Sequence, residues 1–233
     1  MKTRFYAFFV ILVLVLLASC SNDNGGKSDN LVLKARSIYN QGKVTAASPN
    51  ALVSLTSFTF NFKEIEFEFA ENTSNDDDGF FDGDDEVELN GPFIVNILNN
   101  TIDIATFNVP AGVYEEFEFT MSRNKQVNSP MYNKSVQIEG TINGTPFVFW
   151  HNIEEDFEID YEDTAQNLVI DNTTSMLYLN FDLNTVVNSI DFSVATDNDG
   201  DGVIEINPND QDGNQSLANL IKDRIKDTIE LDD

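Results

Sequence analysis

The chain has 233 residues, 40 of them acidic and 13 basic, for a formal net charge of −27. So negative a surface repels phosphate backbones and anionic headgroups, which excludes nucleic acid and anionic lipid as direct partners of the folded part. Its 19 phenylalanines exclude a disordered polyanion, because such chains lack the aromatics to build a core.

Lys2 and Arg4 flank the start of an apolar run from Phe5 to Leu17, which Leu17-Ala18-Ser19-Cys20 closes. A basic segment, an apolar segment and a small-residue box in that order read as a secretory signal. The run is also shorter than the ~20 residues a membrane helix needs. Because the box ends in the chain's single cysteine, it resembles the signal of bacterial lipoproteins. That resemblance implies removal of residues 1–19 and lipidation of Cys20 as the new N-terminus; an ordinary secretory signal is the alternative. Ser21 is not the aspartate that retains such lipoproteins in an inner membrane, so the implied address is the outer membrane, facing periplasm or cell surface. Residues 20–30 are polar and aperiodic and read as a flexible tether.

From Leu31 the hydrophobic period is two. Leu31, Leu33 and Ala35 make a first strand. Phe58, Phe60 and Phe62 alternate with polar residues, and then Ile65, Phe67 and Phe69 do so on the other parity. One extra residue near Lys63-Glu64, a β-bulge, accounts for the switch. Residues 71–86 form an acidic loop. Strands follow at Val87–Leu89 and Phe93–Leu98, broken by Gly91-Pro92, then at Ile102–Phe107 and Tyr114–Met121. Asn143-Gly144 between Val136–Ile142 and Thr145–Trp150 is the turn pair that a two-residue hairpin prefers. Phe157–Tyr161, Leu168–Ile170, Met176–Leu183 and Ile190–Val194 complete the strands. Only Leu217, Leu220, Ile221, Ile225 and Ile229 recur at helical steps, predicting a helix over 216–230 capped by Asn214 or Ser216. The expected fold is all-β: one antiparallel β-sandwich over 31–233, immunoglobulin-like, transthyretin-like or Greek-key, with a short C-terminal α-helix.

Asp197-Asn198-Asp199-Gly200-Asp201-Gly202-Val203-Ile204-Glu205, within an Asp-rich loop over 197–212, matches the front of a calcium loop. Ca²⁺ takes six to eight oxygens, and here Asp197, Asp199, Asp201, the Val203 carbonyl and Glu205 supply them while Gly202 allows the sharp turn. Pro208 stands where a bidentate glutamate is expected, and Ile190–Val194 is not a helix. A missing ligand must then come from Asp210, Asp212 or elsewhere, and affinity should fall in the weak range of about 10⁻⁴ to 10⁻³ M. An acidic turn that needs no metal is the alternative.

Catalysis has little support. His151 is the sole histidine and no serine sits in Gly-x-Ser-x-Gly. With 40 acids, some carboxylate pair always lies at a glycosidase distance, so such a pair carries no weight. Trp150, Tyr132, Tyr161 and Tyr178 could form a glycan-stacking platform, with Trp150 its centre, although the run Phe147–Trp150 also serves the core. Asp163-Thr164-Ala165 and Asp227-Thr228-Ile229 resemble a three-residue O-glycosylation signal of some Bacteroidota.

Phe62-Lys63-Glu64-Ile65-Glu66-Phe67, Val109-Pro110-Ala111-Gly112-Val113-Tyr114 and Leu179-Asn180-Phe181-Asp182-Leu183 occur in an order that resembles a family of uncharacterised Bacteroidota outer-membrane lipoproteins carrying a sandwich-type domain of unknown function. The resemblance spans about Ser54 to Ile206 and implies fold and address, with no activity to transfer. The expected function is therefore a non-enzymatic, lipid-anchored envelope protein with a Ca²⁺ loop and a binding or structural role, its glycan or envelope-protein partner unidentified. A surface carbohydrate-binding protein or weak glycan-active enzyme is the alternative. A pilus subunit with a removable first strand at Leu31–Ala35 is a third.

Overall fold

The computed structural model describes residues 27–40, 51–69, 86–110, 112–161, 168–171 and 176–232. The leader, Cys20, the acidic residues 71–85 and Thr164 lie outside the described residues. Two sheets pack as a sandwich. The first holds β1 (Lys27–Ile38), β4 (Thr101–Pro110), β10 (Met176–Asp182) and β12 (Ile229–Asp232) in the order β12-β10-β1-β4. The second follows the path β11-β7-β6-β2-β5-β8, through β2 (Val53–Phe69), β5 (Gly112–Met121), β6 (Val136–Ile142), β7 (Thr145–His151), β8 (Glu155–Asp160) and β11 (Ile204–Ile206). β3 (Glu86–Asn96) adds to β2, and β9 (Leu168–Ile170) adds to β5.

β2 is the longest strand, and its alternation builds the core. Phe58, Phe60, Phe62, Ile65 and Phe67 are buried. Phe60 stacks on Phe181 of β10 with centroids 4.5 Å apart, and Phe58 meets the same ring edge-on at 5.7 Å, which joins the two sheets. The expected bulge is present: against β5 the register passes from Phe62↔Met121 to Glu64↔Thr120, leaving Lys63 as the extra residue. On the other side β3 runs continuously through Gly91-Pro92, where two strands were expected. A Cβ on Gly91 would stand 2.6 Å from the Phe62 carbonyl oxygen, so only glycine lets the strands approach there. The Asn143-Gly144 hairpin forms as expected, with φ of 52° and 86°.

Most strand pairs are antiparallel. Two are parallel: β1 with β10, and β7 with β11. β1 begins at Lys27, inside the stretch expected as tether, and lies between β10 and β4 with Leu31, Leu33 and Ala35 fully buried.

Three expectations at the C-terminal end change. The Ile190–Val194 strand is replaced by helix α1 (Leu183–Ser189) and a 3-10 turn at Phe192–Val194. The Asp182 side chain accepts from Thr185 N–H and starts α1, and Asp191 does the same for Ser193 at the turn. Helix α2 runs Gln215–Lys226 and stops short of 230, because Ile229 enters β12 opposite Phe181. Leu220, expected on the buried stripe, is exposed, while Leu217, Ala218, Ile221 and Ile225 face the core.

Candidate metal centre

The loop between the 3-10 turn and β11 is shaped by its own carboxylates. Asp197 accepts the Gly200 N–H at 2.7 Å through Oδ1 and the Gly202 N–H at 3.0 Å through Oδ2. Asp199 accepts from Asp201 N–H at 3.1 Å, and Asp201 from Val203 N–H at 2.8 Å. Each is an Asx-type turn that curls the chain around its short acidic side chain. Gly202 sits at φ +92°, a conformation that side-chain-bearing residues rarely adopt.

β11 supplies the next acid. Ile204 and Ile206 are buried and pair with Phe147 and Phe149, so strand alternation turns Glu205 to the opposite side. The fifth acid of the loop, Asp210, does not join: it sits at φ +60° and accepts the Gln215 N–H at 2.8 Å, at the start of α2. Asp212 joins instead. Its carboxylate is fully buried and accepts three backbone N–H groups, from Asn198 at 3.0 Å, Asp199 at 3.2 Å and Glu205 at 2.8 Å. Asn214 fixes the same base. It receives Thr196 N–H and donates to the carbonyls of Thr196 and Glu205, rather than capping α2 with its side chain.

Two groups of carboxylates result, Asp197/Asp199/Asp212 and Asp199/Asp201/Glu205, with one oxygen from each residue within 4.8 Å of the others in its group. They share Asp199. Such a cluster can hold a metal ion, and its donor set is all oxygen, the set that hard cations take. Gln211 Nε2 spans the second group, 3.3 Å from both Asp199 Oδ2 and Glu205 Oε1. Glu205 Oε2 is buried and has no hydrogen-bond partner. Burial first, then a side-chain hydrogen-bonding interaction with Asp212 and the charges of Asp201, Asp212 and Asp199, push the Glu205 carboxyl up to about 7. Asp212 moves the other way: burial opposes its charge, but the Glu205 N–H, the Glu205 side chain and the N–H groups of Asp199 and Asn198 hold it below the usual aspartate range.

The other candidates do not assemble. His151 ends β7 with Nε2 3.3 Å from Asn219 Oδ1, and burial lowers its pKa. Trp150 is half-buried on the outer side of β7, opposite the buried Phe147 and Phe149. Tyr178 is on the outer side of the other sheet, beneath the Arg36 guanidinium at 4.5 Å, so these two rings share no platform. Thr228 is buried and donates to the Ile225 carbonyl, which removes it as an exposed glycosylation acceptor. Compared with known proteins, the chain matches no family model, no curated protein and no solved structure.

Proposed function

We propose that the protein is a lipid-anchored, non-enzymatic component of a bacterial cell envelope whose loop over 197–212 binds Ca²⁺. The observation that carries the metal assignment is Glu205 Oε2, buried without a partner beside Asp199, Asp201 and Asp212. A divalent cation supplies the positive charge that the surrounding acids lack. Asp197, Asp199, Asp201 and Glu205 act as ligands, joined by the Val203 carbonyl, and Asp212 takes the place of the glutamate that Pro208 displaces. The bound ion ties the loop, β11 and the start of α2 together. The lipid on Cys20 holds the sandwich at the membrane while its negative surface keeps it clear of anionic headgroups.

The test is thermal unfolding of the mature chain in EDTA, in millimolar Ca²⁺ and in matched Mg²⁺. At ten to a hundred times the dissociation constant, mass action gives about 1.4–2.7 kcal/mol. That corresponds to a Tm rise of about 3–11 °C with Ca²⁺. The Asp199→Asn/Asp201→Asn variant should lose the rise. A wild-type Tm that ignores Ca²⁺ removes the assignment.

A further inference from the structure

Far from the loop, acids are placed by sheet register. Glu68, Glu116 and Asp160 stand in one row across β2, β5 and β8, and Glu66, Glu118 and Glu158 in the next. Glu88 of β3 extends the second row beyond Glu66. Glu64 and Asp156 flank Thr120 in a third. The alternate residues Ile65, Phe67, Phe117 and Phe119 are buried, so these carboxylates share the outer face. Directly opposed side chains on paired strands stand about 4.5–5.5 Å apart, where like charges weaken the pairing.

The groups acting most strongly on Glu116 are Glu158 and Asp160 of β8, Glu68 of β2 and Glu118 of its own strand, all acids. Those acting on Glu118 are Asp156 and Glu158 of β8 and Glu64 and Glu68 of β2, acids again. Lys63 binds Glu64 at 2.9 Å and reaches toward Asp156 and Glu88, at the third row. β9 packs on the far end of β5 and brings Val169, not a charge, to this side. Burial first, then these neighbours, raise Glu116 to about 7 and move Glu118 in the same direction. β8 ends the strand path and is held through β5. Its grip is Phe157, stacked on Phe119 at 4.8 Å, with Lys226 of α2 paired to Glu155.

We propose that this carboxylate face makes the docking of β8 on β5 pH-dependent, so that acidification tightens the strand and ionisation loosens it. A carboxyl whose folded-state pKa exceeds its unfolded value binds more protons when folded. Its penalty is full above the folded value and vanishes below the unfolded one, so β8 gains stability as pH falls from 8 toward 5.

Amide hydrogen exchange, corrected for the intrinsic rate at each pH, reads this strand by strand. Protection of β8 amides should rise about tenfold or more from pH 8 to pH 5.5, because a carboxyl that folding makes tenfold weaker as an acid changes the docking equilibrium by the same factor. Glu116→Gln/Glu118→Gln should raise protection at pH 8 and abolish most of the gain. Asp223→Asn/Glu230→Gln, which removes two charges from α2 and β12, should keep it. Unchanged β8 protection overturns the proposal. So does a gain that survives in Glu116→Gln/Glu118→Gln, or one equally large in the β6–β7 hairpin, since either would trace to net charge alone.

Discussion

Two acidic regions of this molecule handle their charge in opposite ways. In the 197–212 loop every aspartate accepts at least one backbone N–H, and Asp212 alone takes three. The turns thus made bring oxygens together in two groups of three residues that share Asp199. On the face of β2, β5 and β8 the strands hold the acids apart at a fixed spacing, and in two of the three rows acid meets acid across the ladder. Convergence makes a cluster that can hold a metal ion, whereas a ladder makes distributed repulsion. Acid count alone distinguishes neither, because what matters is whether backbone donors or strand register decide where the oxygens go.

Substitutions sharpen this contrast. The largest effect is expected from Asp212→Ala, which leaves three N–H donors without their acceptor and should cost about 3 kcal/mol or more in denaturant unfolding. A loss below about 1 kcal/mol would show that the loop holds its shape without that carboxylate. Gly202→Ala meets no atom within 4 Å, so its penalty is purely conformational, at about 1 kcal/mol. It should also shrink the Ca²⁺-induced rise in Tm, and an unaffected rise would separate loop geometry from binding. The smallest effect has the opposite sign. Glu158→Gln removes one charge from the middle of the ladder and should stabilise the protein by about 0.3 kcal/mol at pH 8. Destabilisation there would mean that the ladder's acids support the sheet rather than strain it.

Much of the fold was legible because its signals are local. The parity switch between Phe62 and Ile65 announced the bulge at Lys63, and Asn143-Gly144 announced its hairpin. The stretch after β10 misled because Ile190, Phe192 and Val194 alternate like a strand. Leu183, Val186 and Ile190 recur at three- and four-residue steps, and Asp182 three residues before Thr185 is a capping signal. β11 is three residues long and its partner β7 lies more than fifty residues upstream, so no local pattern marks it. In the site, the spacing of Asp197, Asp199, Asp201 and Glu205 pointed to the cluster. The choice of Asp212 over Asp210 could not be read, because both follow Pro208 in similar surroundings. Backbone geometry decides: Asp210, at positive φ, turns to the start of α2, and Asp212 turns inward.

The position of β1 has a consequence for how the chain reaches this state. Its Leu31, Leu33 and Ala35 are covered on one side by β10, whose partner residues begin at Met176. A chain still being synthesised has made its first strand long before the strand that completes its sheet exists. Such long-range closure is slow and leaves apolar edges open to wrong pairing meanwhile. Until β10 arrives, the first sheet stays incomplete and the apolar residues of β1 keep an unpaired edge.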